Sequence, residues 1–233
     1  MRVTVLGLAA ALLVAPAANA QFDLKITEIW PGNEPGENLT NDWFEITNFG
    51  DAPFNFGADG GLFYDDDSQD AGAADPLNDI AVIAPGESVV FLDVSVPEEV
   101  GDPSIADQVM EFTDLWGAVV SLPQVGTYSG SGLSQGGDGV TLFLTDDGSA
   151  PTGLIDIIDF QLYPAADLDG GESYDVPFGV FSGDGPITNA ATTAGNDLSQ
   201  PAIGTPGFLA VPEPASASLA ALGLAGLVAR RRR

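Results

Sequence analysis

The strongest constraint on the fold is a series of short apolar runs, each rich in β-branched or aromatic residues and each bounded by turn residues. Runs of this length and composition are typical of β-strands. The turns Ala84-Pro85-Gly86-Glu87 and Asp146-Asp147-Gly148 are of the kind that joins antiparallel strands. The sequence therefore predicts strands over residues 24–30, 43–48, 61–64, 88–94, 140–144 and 155–162.

One segment has helical spacing instead. Ile105, Val109, Phe112 and Trp116 recur at intervals of three and four residues, and Ser104 precedes them as a candidate N-cap. The pattern predicts one short helix. Many strands with a single helix favour an antiparallel β-sandwich over an α/β fold.

Residues 1–20 have the order of a secretory signal peptide, with one charge, an apolar run and then small residues. Ala18 and Ala20 are the small residues that a signal peptidase needs before Gln21. The apolar run is shorter than the roughly 20 residues of a membrane span. We expect a signal helix that signal peptidase removes, with the mature chain beginning at Gln21.

Residues 211–233 form a second segment with a recognisable sequence of features, in which a short motif precedes an apolar stretch and an arginine cluster. As a helix, the stretch would reach roughly 22 Å, short of the ~30 Å hydrocarbon core. The arginines are expected to stay on the cytoplasmic side, so the tail associates with the membrane and the domain lies outside. The residues are Val211, Pro212, Glu213 and Pro214 in the motif and Arg230, Arg231, Arg232 and Arg233 in the cluster.

This tail resembles the PEP-CTERM sorting signal, in which the membrane protease exosortase recognises and removes the segment. The resemblance implies an exported protein of the cell envelope, outer surface or extracellular matrix. It also implies an exosortase-type protease as a partner, with only transient membrane association. A permanently anchored single-pass surface protein is the alternative, in which the apolar helix stays uncut.

The charge balance excludes several classes of function. The chain has 34 acidic and 6 basic residues, and from Gln21 to Glu213 Lys25 is the only basic residue while all 34 acids fall there, which gives a formal charge of about −33. Such a field repels nucleic acid and anionic lipid and attracts cations. The absence of cysteine and histidine excludes disulfides, conventional zinc sites and histidine-based catalysis.

The central motifs, in their order, resemble those of the lamin-tail domain, an immunoglobulin-like sandwich. Residues 24–29 resemble its opening strand, residues 42–48 its Trp-x-Glu-x-x-Asn strand, and residues 133–142 its Leu-Ser-x-x-Gly-Asp-x-Val-x-Leu element. Residues 171–173 and 205–207 fall where the family has Gly-x-Ser and Thr-Pro-Gly. The resemblance implies one sandwich domain over residues 21–210.

Two glutamates would lie on neighbouring strands of this domain. Glu28 and Glu45 need partners if they are buried, because an unpaired buried charge costs several kcal/mol. They are interpreted as structural carboxylates that bind loop backbone amides and hold a corner of the sandwich. A metal-binding or catalytic role is the alternative.

Calcium is the candidate ion, because it takes six to eight oxygen ligands from carboxylates and carbonyls in loops. One candidate site follows a predicted strand and the other has alternating acids before a glycine turn. Solvated turns are the alternative for both, since Asp and Gly are favoured there. The candidate ligands are Asp65, Asp67 and Asp70 in the first loop and Asp167, Asp169 and Glu172 in the second.

These observations favour an exported non-catalytic module that is structural or binds a matrix polysaccharide or surface protein and requires no cofactor. The alternative from another class is a carboxylate-based glycoside hydrolase, or an accessory domain of one, because paired carboxylates can hydrolyse glycosides without other groups.

Overall fold

A computed structural model describes residues 20–32, 41–97, 102–165, 171–182, 191–192 and 202–208. The expected signal helix and C-terminal apolar helix lie outside these ranges. The described chain is mostly β with one α-helix, as predicted. The elements are β1 Leu24–Trp30, β2 Trp43–Asn48, β3 Phe54–Asn55, β4 Gly61–Asp65, β5 Asp75–Pro76, β6 Val82–Ile83, β7 Ser88–Asp93, α1 Ile105–Gly117, β8 Gln124–Tyr128, β9 Asp138–Thr145, β10 Ile157–Tyr163, β11 Gly171–Glu172, β12 Tyr174–Asp175, β13 Val180–Phe181, β14 Ala191–Thr192 and β15 Ala202–Gly204.

All six sequence-predicted strands are present. The limits of β1 and β2 agree with the prediction residue for residue, and the others differ by at most two residues at either end. The largest shift precedes β10, where Leu154–Asp156 forms a turn of 3-10 helix instead of extended chain.

The helix begins where its capping residues predict. The Ser104 Oγ accepts from the Asp107 backbone N at 3.1 Å, and the Asp107 carboxylate accepts from the Ser104 backbone N at the same distance. This reciprocal capping box satisfies two of the amides that a helix start leaves unpaired. Phe112 and Trp116 are fully buried and Val109 is partly buried, so the predicted apolar face packs over these residues, whereas Ile105 in the first turn is exposed.

The strands form two main sheets, in the orders β13-β12-β1-β2-β7-β8 and β10-β9-β4-β5. Side chains from both sheets make one apolar core that includes Phe44, Tyr64, Phe91 and Tyr128. The Phe44 ring lies 5.2 Å from that of Tyr64 and 5.3 Å from that of Tyr128, between centroids. Two smaller sheets, β11-β15-β14 and β3-β6, complete the described pairing.

The prediction of an antiparallel sandwich is wrong for two pairs of strands. β8, which the sequence did not predict, pairs in parallel with β7. The helix α1 lies between these strands in the chain, and a crossover of that kind is what a parallel pair requires. β11 and β15 also pair in parallel.

The helix covers a second core that contains all three tryptophans. Trp30 and Trp43 are cross-strand partners whose rings stack in parallel planes, with centroids 6.0 Å apart. Trp116 meets both rings edge-on at 6.0 and 6.1 Å. Edge-to-face contacts of this kind stabilise aromatic clusters beyond their area burial.

A β-bulge sets the direction of the side chains in the middle of β1. The pairing of β1 with β2 shifts register between Ile26 and Glu28, so Thr27 is an extra residue. Bulges redirect side chains that would otherwise alternate between faces. Thr27 and Glu28 are therefore both turned inward, and both are at most 3% exposed.

The parallel strand leads to a first prediction. A Cβ at Gly126 in β8 would lie 2.6 Å from the Asn78 carbonyl oxygen and 2.6 Å from the Phe91 ring. We expect Gly126→Ala to lower the free energy of unfolding by about 2 kcal/mol, because overpacking a well-packed site costs 1–3 kcal/mol. Urea unfolding measures the change.

The matched control is Gly153→Ala, because that glycine has an extended backbone and no atom within 4 Å of a Cβ. It should change the free energy of unfolding by less than about 0.5 kcal/mol, as surface substitutions usually do. Equal effects of the two substitutions would contradict the position of β8.

Candidate functional site

The site with the most unusual chemistry is the pair of carboxylates on β1 and β2. Glu28 and Glu45 are directly opposite each other in the strand pairing, and each is 1% exposed. Asp175 of β12 is the partner of Glu28 on the other side and is 2% exposed. Three acidic residues therefore lie side by side across three strands of the main sheet.

Three donors bind the Glu28 carboxylate. The Thr205 backbone N donates to Oε1 at 2.7 Å, and the Thr205 hydroxyl donates to Oε2 at 2.9 Å. The Ser173 hydroxyl also donates to Oε1. The Ser182 hydroxyl lies 2.6 Å from that of Ser173, and because Ser173 donates to Glu28, Ser182 must donate to Ser173.

Glu45 has a parallel arrangement. The Gly207 backbone N donates to Oε2 at 2.6 Å, and the Thr27 hydroxyl donates to Oε1 at 2.7 Å. The Thr47 hydroxyl lies 3.0 Å from that of Thr27 and 2.6 Å from that of Ser88. With Thr27 donating to the carboxylate, each hydroxyl in the row donates to the next one toward Glu45.

Burial raises the pKa of both glutamates. Desolvation is the largest cause for each, and the charge of Glu45 adds to it for Glu28; the donors described above lower both values by smaller amounts. The pKa of Glu28 is raised from 4.5 to about 8, and that of Glu45 from 4.5 to about 7. Near neutral pH the pair therefore keeps about one proton.

No positive charge compensates the pair within the described residues. Lys25, the only basic side chain there, has its ammonium 3.5 Å from the Asp23 carboxylate and within 3.5 Å of the Ile158 carbonyl oxygen. The carboxylates are stabilised by hydroxyl and amide donors alone. At 1% exposure, neither has a face through which a substrate could approach.

The sequence placed Glu28 and Glu45 on neighbouring strands, but it did not identify their partners. Ser173, Thr205 and Gly207 were noted only as motif residues, and the structure brings all three to the two carboxylates. The motifs were the available signal, since a buried carboxylate must find donors somewhere in the chain.

The first calcium candidate is a loop that binds its own backbone. Asp65 is 2% exposed, and its Oδ2 accepts from the Asp70 backbone N at 2.6 Å and from the Ser68 hydroxyl at 2.8 Å. The Asp70 carboxylate accepts from the Gly72 backbone N at 2.8 Å, while the Asp67 side chain is exposed. These are the contacts of a self-capped turn.

In the second candidate, Asp167 and Asp169 lie outside the described residues, and Glu172 is half-buried in β11. Within the ranges that the structure describes, no three acidic side chains are grouped closely enough to hold a metal ion.

A second acidic feature was not recognised from the sequence. An open cleft of about 590 Å³ is lined by residues 93–96 with Asp102, Ser129 and Gly130. Burial raises the pKa of Asp93 to about 6, and the neighbouring charge of Asp75 adds to this shift. Asp93 and Asp102 are the carboxylates of the cleft, and nothing in the local sequence distinguishes them from other surface acids.

The two terminal segments lie mostly outside the described ranges. Ala20 and Gln21 are exposed at the start of the first range, and the Gln21 backbone N donates to Asp51 Oδ1 at 2.7 Å. Ala18, residues 211–214 and residues 230–233 are not among the described residues. In the described part of the chain, no helix is long and apolar enough to cross a membrane.

Comparison with known proteins identifies the C-terminal segment. Residues 210–233 match the family model of the PEP-CTERM protein-sorting motif. The prediction of a sorting signal is therefore confirmed, and the motif indicates export and membrane-associated sorting by exosortase. No curated protein and no solved structure matches the chain.

The raised pKa values of the pair lead to a prediction for stability. Between pH 4.5 and about 8, the folded chain binds more protons than the unfolded chain, because the folded values lie above the ordinary 4.5. The free energy of unfolding should therefore fall as pH rises through this window and change little above it. Thermal melts from pH 5 to pH 9 measure the trend.

Glu45→Gln should reduce that fall. We expect it to stabilise the fold at pH 8 by about 1–2 kcal/mol, since each unit of raised pKa corresponds to about 1.4 kcal/mol and a weakened hydrogen bond offsets part of the gain. The control is Glu111→Gln, which removes the same charge from the exposed surface of α1. A pH trend that is equally steep in both variants would contradict the assignment to the pair.

Proposed function

We propose that the protein is an exported, non-catalytic surface or matrix module whose domain is delivered by its C-terminal sorting segment and released when that segment is cut. The sorting motif at residues 210–233 carries the proposal, because a motif of this kind indicates a secreted surface protein that exosortase processes. The proposal requires no cofactor, and the segment associates with the membrane only until it is removed.

An immunoglobulin-like sandwich of the lamin-tail type is the proposed domain fold. Two sheets sharing one core support it. Further support comes from the motifs that carry the resemblance, because Glu28, Glu45, Ser173, Thr205 and Gly207 meet at one site although they are up to 179 positions apart in the sequence. The separate short motifs thus supply the two buried carboxylates and the groups that donate hydrogen bonds to them.

The surface charge favours a particular set of partners. The proposed mature chain carries about −33 formal charges, and in the described part its one basic side chain is next to an aspartate. This surface repels nucleic acid and anionic headgroups. A neutral matrix polysaccharide, or a surface protein with a basic face, is the partner that fits.

The processing proposal is tested by mass spectrometry of the exported protein. We expect a product that begins at Gln21 and ends near residues 212–214. The matched variant replaces Arg230, Arg231, Arg232 and Arg233 with glutamine, which removes the orienting charge behind the apolar stretch. That variant should accumulate as an uncut chain in the membrane fraction.

An exported wild-type product that still ends in Arg233 would contradict the processing. Wild-type chain that stays full-length in carbonate-washed membranes would instead support the permanently anchored alternative.

The absence of catalysis is tested separately at the open cleft. The Glu28–Glu45 pair is buried, so the candidate carboxylates for a hydrolase are those that line the cleft, the half-buried Asp93 and the exposed Asp102. We expect no release of reducing sugar from a panel of polysaccharides by the purified chain. Activity that Asp93→Asn or Asp102→Asn abolishes, while Glu111→Gln keeps it, would establish the hydrolase instead.

A further inference from the structure

Residues 202–207 contact the two buried carboxylates, the strands β11 and β14, and the tryptophan core, in which Ala202 is fully buried. Their strand β15 has only three residues and pairs with the two-residue strands β11 and β14. Backbone pairing of this extent is marginal by itself. The Thr205 and Gly207 amides and the Thr205 hydroxyl, which donate to Glu28 and Glu45, supply the additional bonds.

Residues 202–207 also pack closely against their neighbours. A Cβ at Gly204 would lie 3.0 Å from Glu28 Oε1, 3.0 Å from Ser173 Oγ and 3.2 Å from the Trp116 ring. Gly207 has a φ of +80°, and a Cβ there would lie 2.9 Å from the Pro123 ring. Residues 202–207 thus fit a complementary surface in which glycine is needed at two positions.

This segment determines how far the domain can stand from the sorting motif. Pro212 is five residues beyond Gly207, a reach of at most about 18 Å for extended chain. Thr192 of β14 pairs only with β15 among the described strands, so the nearest preceding described residue outside that pairing is Ser182, thirty residues from Pro212, a reach of up to about 105 Å. Release of residues 202–207 would therefore lengthen the maximal reach of the tether about sixfold.

The groups around Glu28 and Glu45 are acidic or neutral, so none of them offsets the charge when both carboxylates ionise. The titratable groups on the strands beside Glu28 are Glu45 on β2 and Asp175 on β12, and both are acids. Asp175 raises the pKa of Glu45 through its charge, and burial raises the pKa of Asp175 itself to about 6. The other partners, on β7, directly after β13 and in the loop after β15, are neutral hydroxyls and amides.

We propose that residues 202–207 form a clasp that the Glu28–Glu45 pair closes while it keeps one proton, and that opens ahead of the rest of the fold when both carboxylates are ionised. The closed clasp keeps Pro212 within about 18 Å of Gly207. The open clasp lets the domain move away while it remains attached. The role of the clasp in sorting rests on the proposed function, whereas its opening is a property of the domain alone.

The loss of the shared proton opens the clasp for an electrostatic reason. Two adjacent charges in a buried site repel each other much more strongly than in water. The strands β1 and β2 that carry them are fixed by long ladders to each other and to β7. The element that can yield is the short segment that donates to both carboxylates, and water then reaches them.

Hydrogen exchange on the purified full chain in mild detergent tests the clasp. Exchange is compared for a peptide covering residues 202–208 and one covering β7, from pH 6 to pH 9, after correction for the intrinsic pH dependence. We expect protection of 202–208 to fall by at least about tenfold, the effect of one unit of raised pKa. Protection of β7 should change by less than about threefold.

Two variants separate ionisation from the strength of the clasp. Glu45→Gln keeps one oxygen for the Gly207 amide, and its NH₂ can donate to Thr27 if the row of hydroxyls reverses. The fall of protection with pH should become smaller, and burial of Glu28, the largest cause of its raised pKa, preserves part of it. Thr205→Val removes one donor to Glu28, so protection should fall at every pH while the pH dependence remains. The exposed variant Glu111→Gln should behave as wild type.

The clasp is refuted if protection of 202–208 in the wild type does not change with pH, or if it falls in step with β7. It is equally refuted if Glu45→Gln keeps the full pH dependence. None of these measurements depends on export or cleavage, so the proposed function can fail while the clasp stands, and the reverse also holds.

Discussion

The fold closes around two buried carboxylates that no basic side chain of the described residues neutralises. Burying such charges costs several kcal/mol each unless hydrogen bonds and protonation compensate. Here the compensation comes from donors that are distant in sequence: Ser173 and Thr205 for Glu28, and Gly207 and Thr27 for Glu45. Ser173, Thr205 and Gly207 are therefore needed to stabilise the carboxylates of β1 and β2. The buried charges are fully hydrogen-bonded only when these residues are in position.

Much of the fold could be predicted because the composition of each strand and the turn residues beside it determine where the strand begins and ends. β1 and β2 are bounded by turn residues and rich in β-branched and aromatic side chains, and their limits agree with the sequence pattern. The helix was equally predictable, since Ser104 caps it and its apolar spacing identifies the packed face. The sorting segment was identifiable because its motif, apolar stretch and arginines occur together.

The parts that were not predicted depend on contacts distant in sequence. β8 has little apolar character of its own, and it is a strand because α1 returns the chain beside β7. The bulge at Thr27 leaves no sequence signal, yet it turns Thr27 and Glu28 to the same site. The acids of the open cleft are likewise ordinary in sequence, and only burial distinguishes Asp93. The periodicity of apolar residues indicates which side chains of an element are buried. It does not indicate which distant donor forms a hydrogen bond with a buried polar group.

The clustering of Trp30, Trp43 and Trp116 has a spectroscopic consequence. Because these are the only tryptophans in the chain and their rings are in contact, the intrinsic emission of the protein comes from one place and is coupled by energy transfer. That place lies between the helix and the C-terminal strand, since Gly204 approaches the Trp116 ring. The protein thus carries its own optical probe beside residues 202–207, which precede the sorting segment in the sequence.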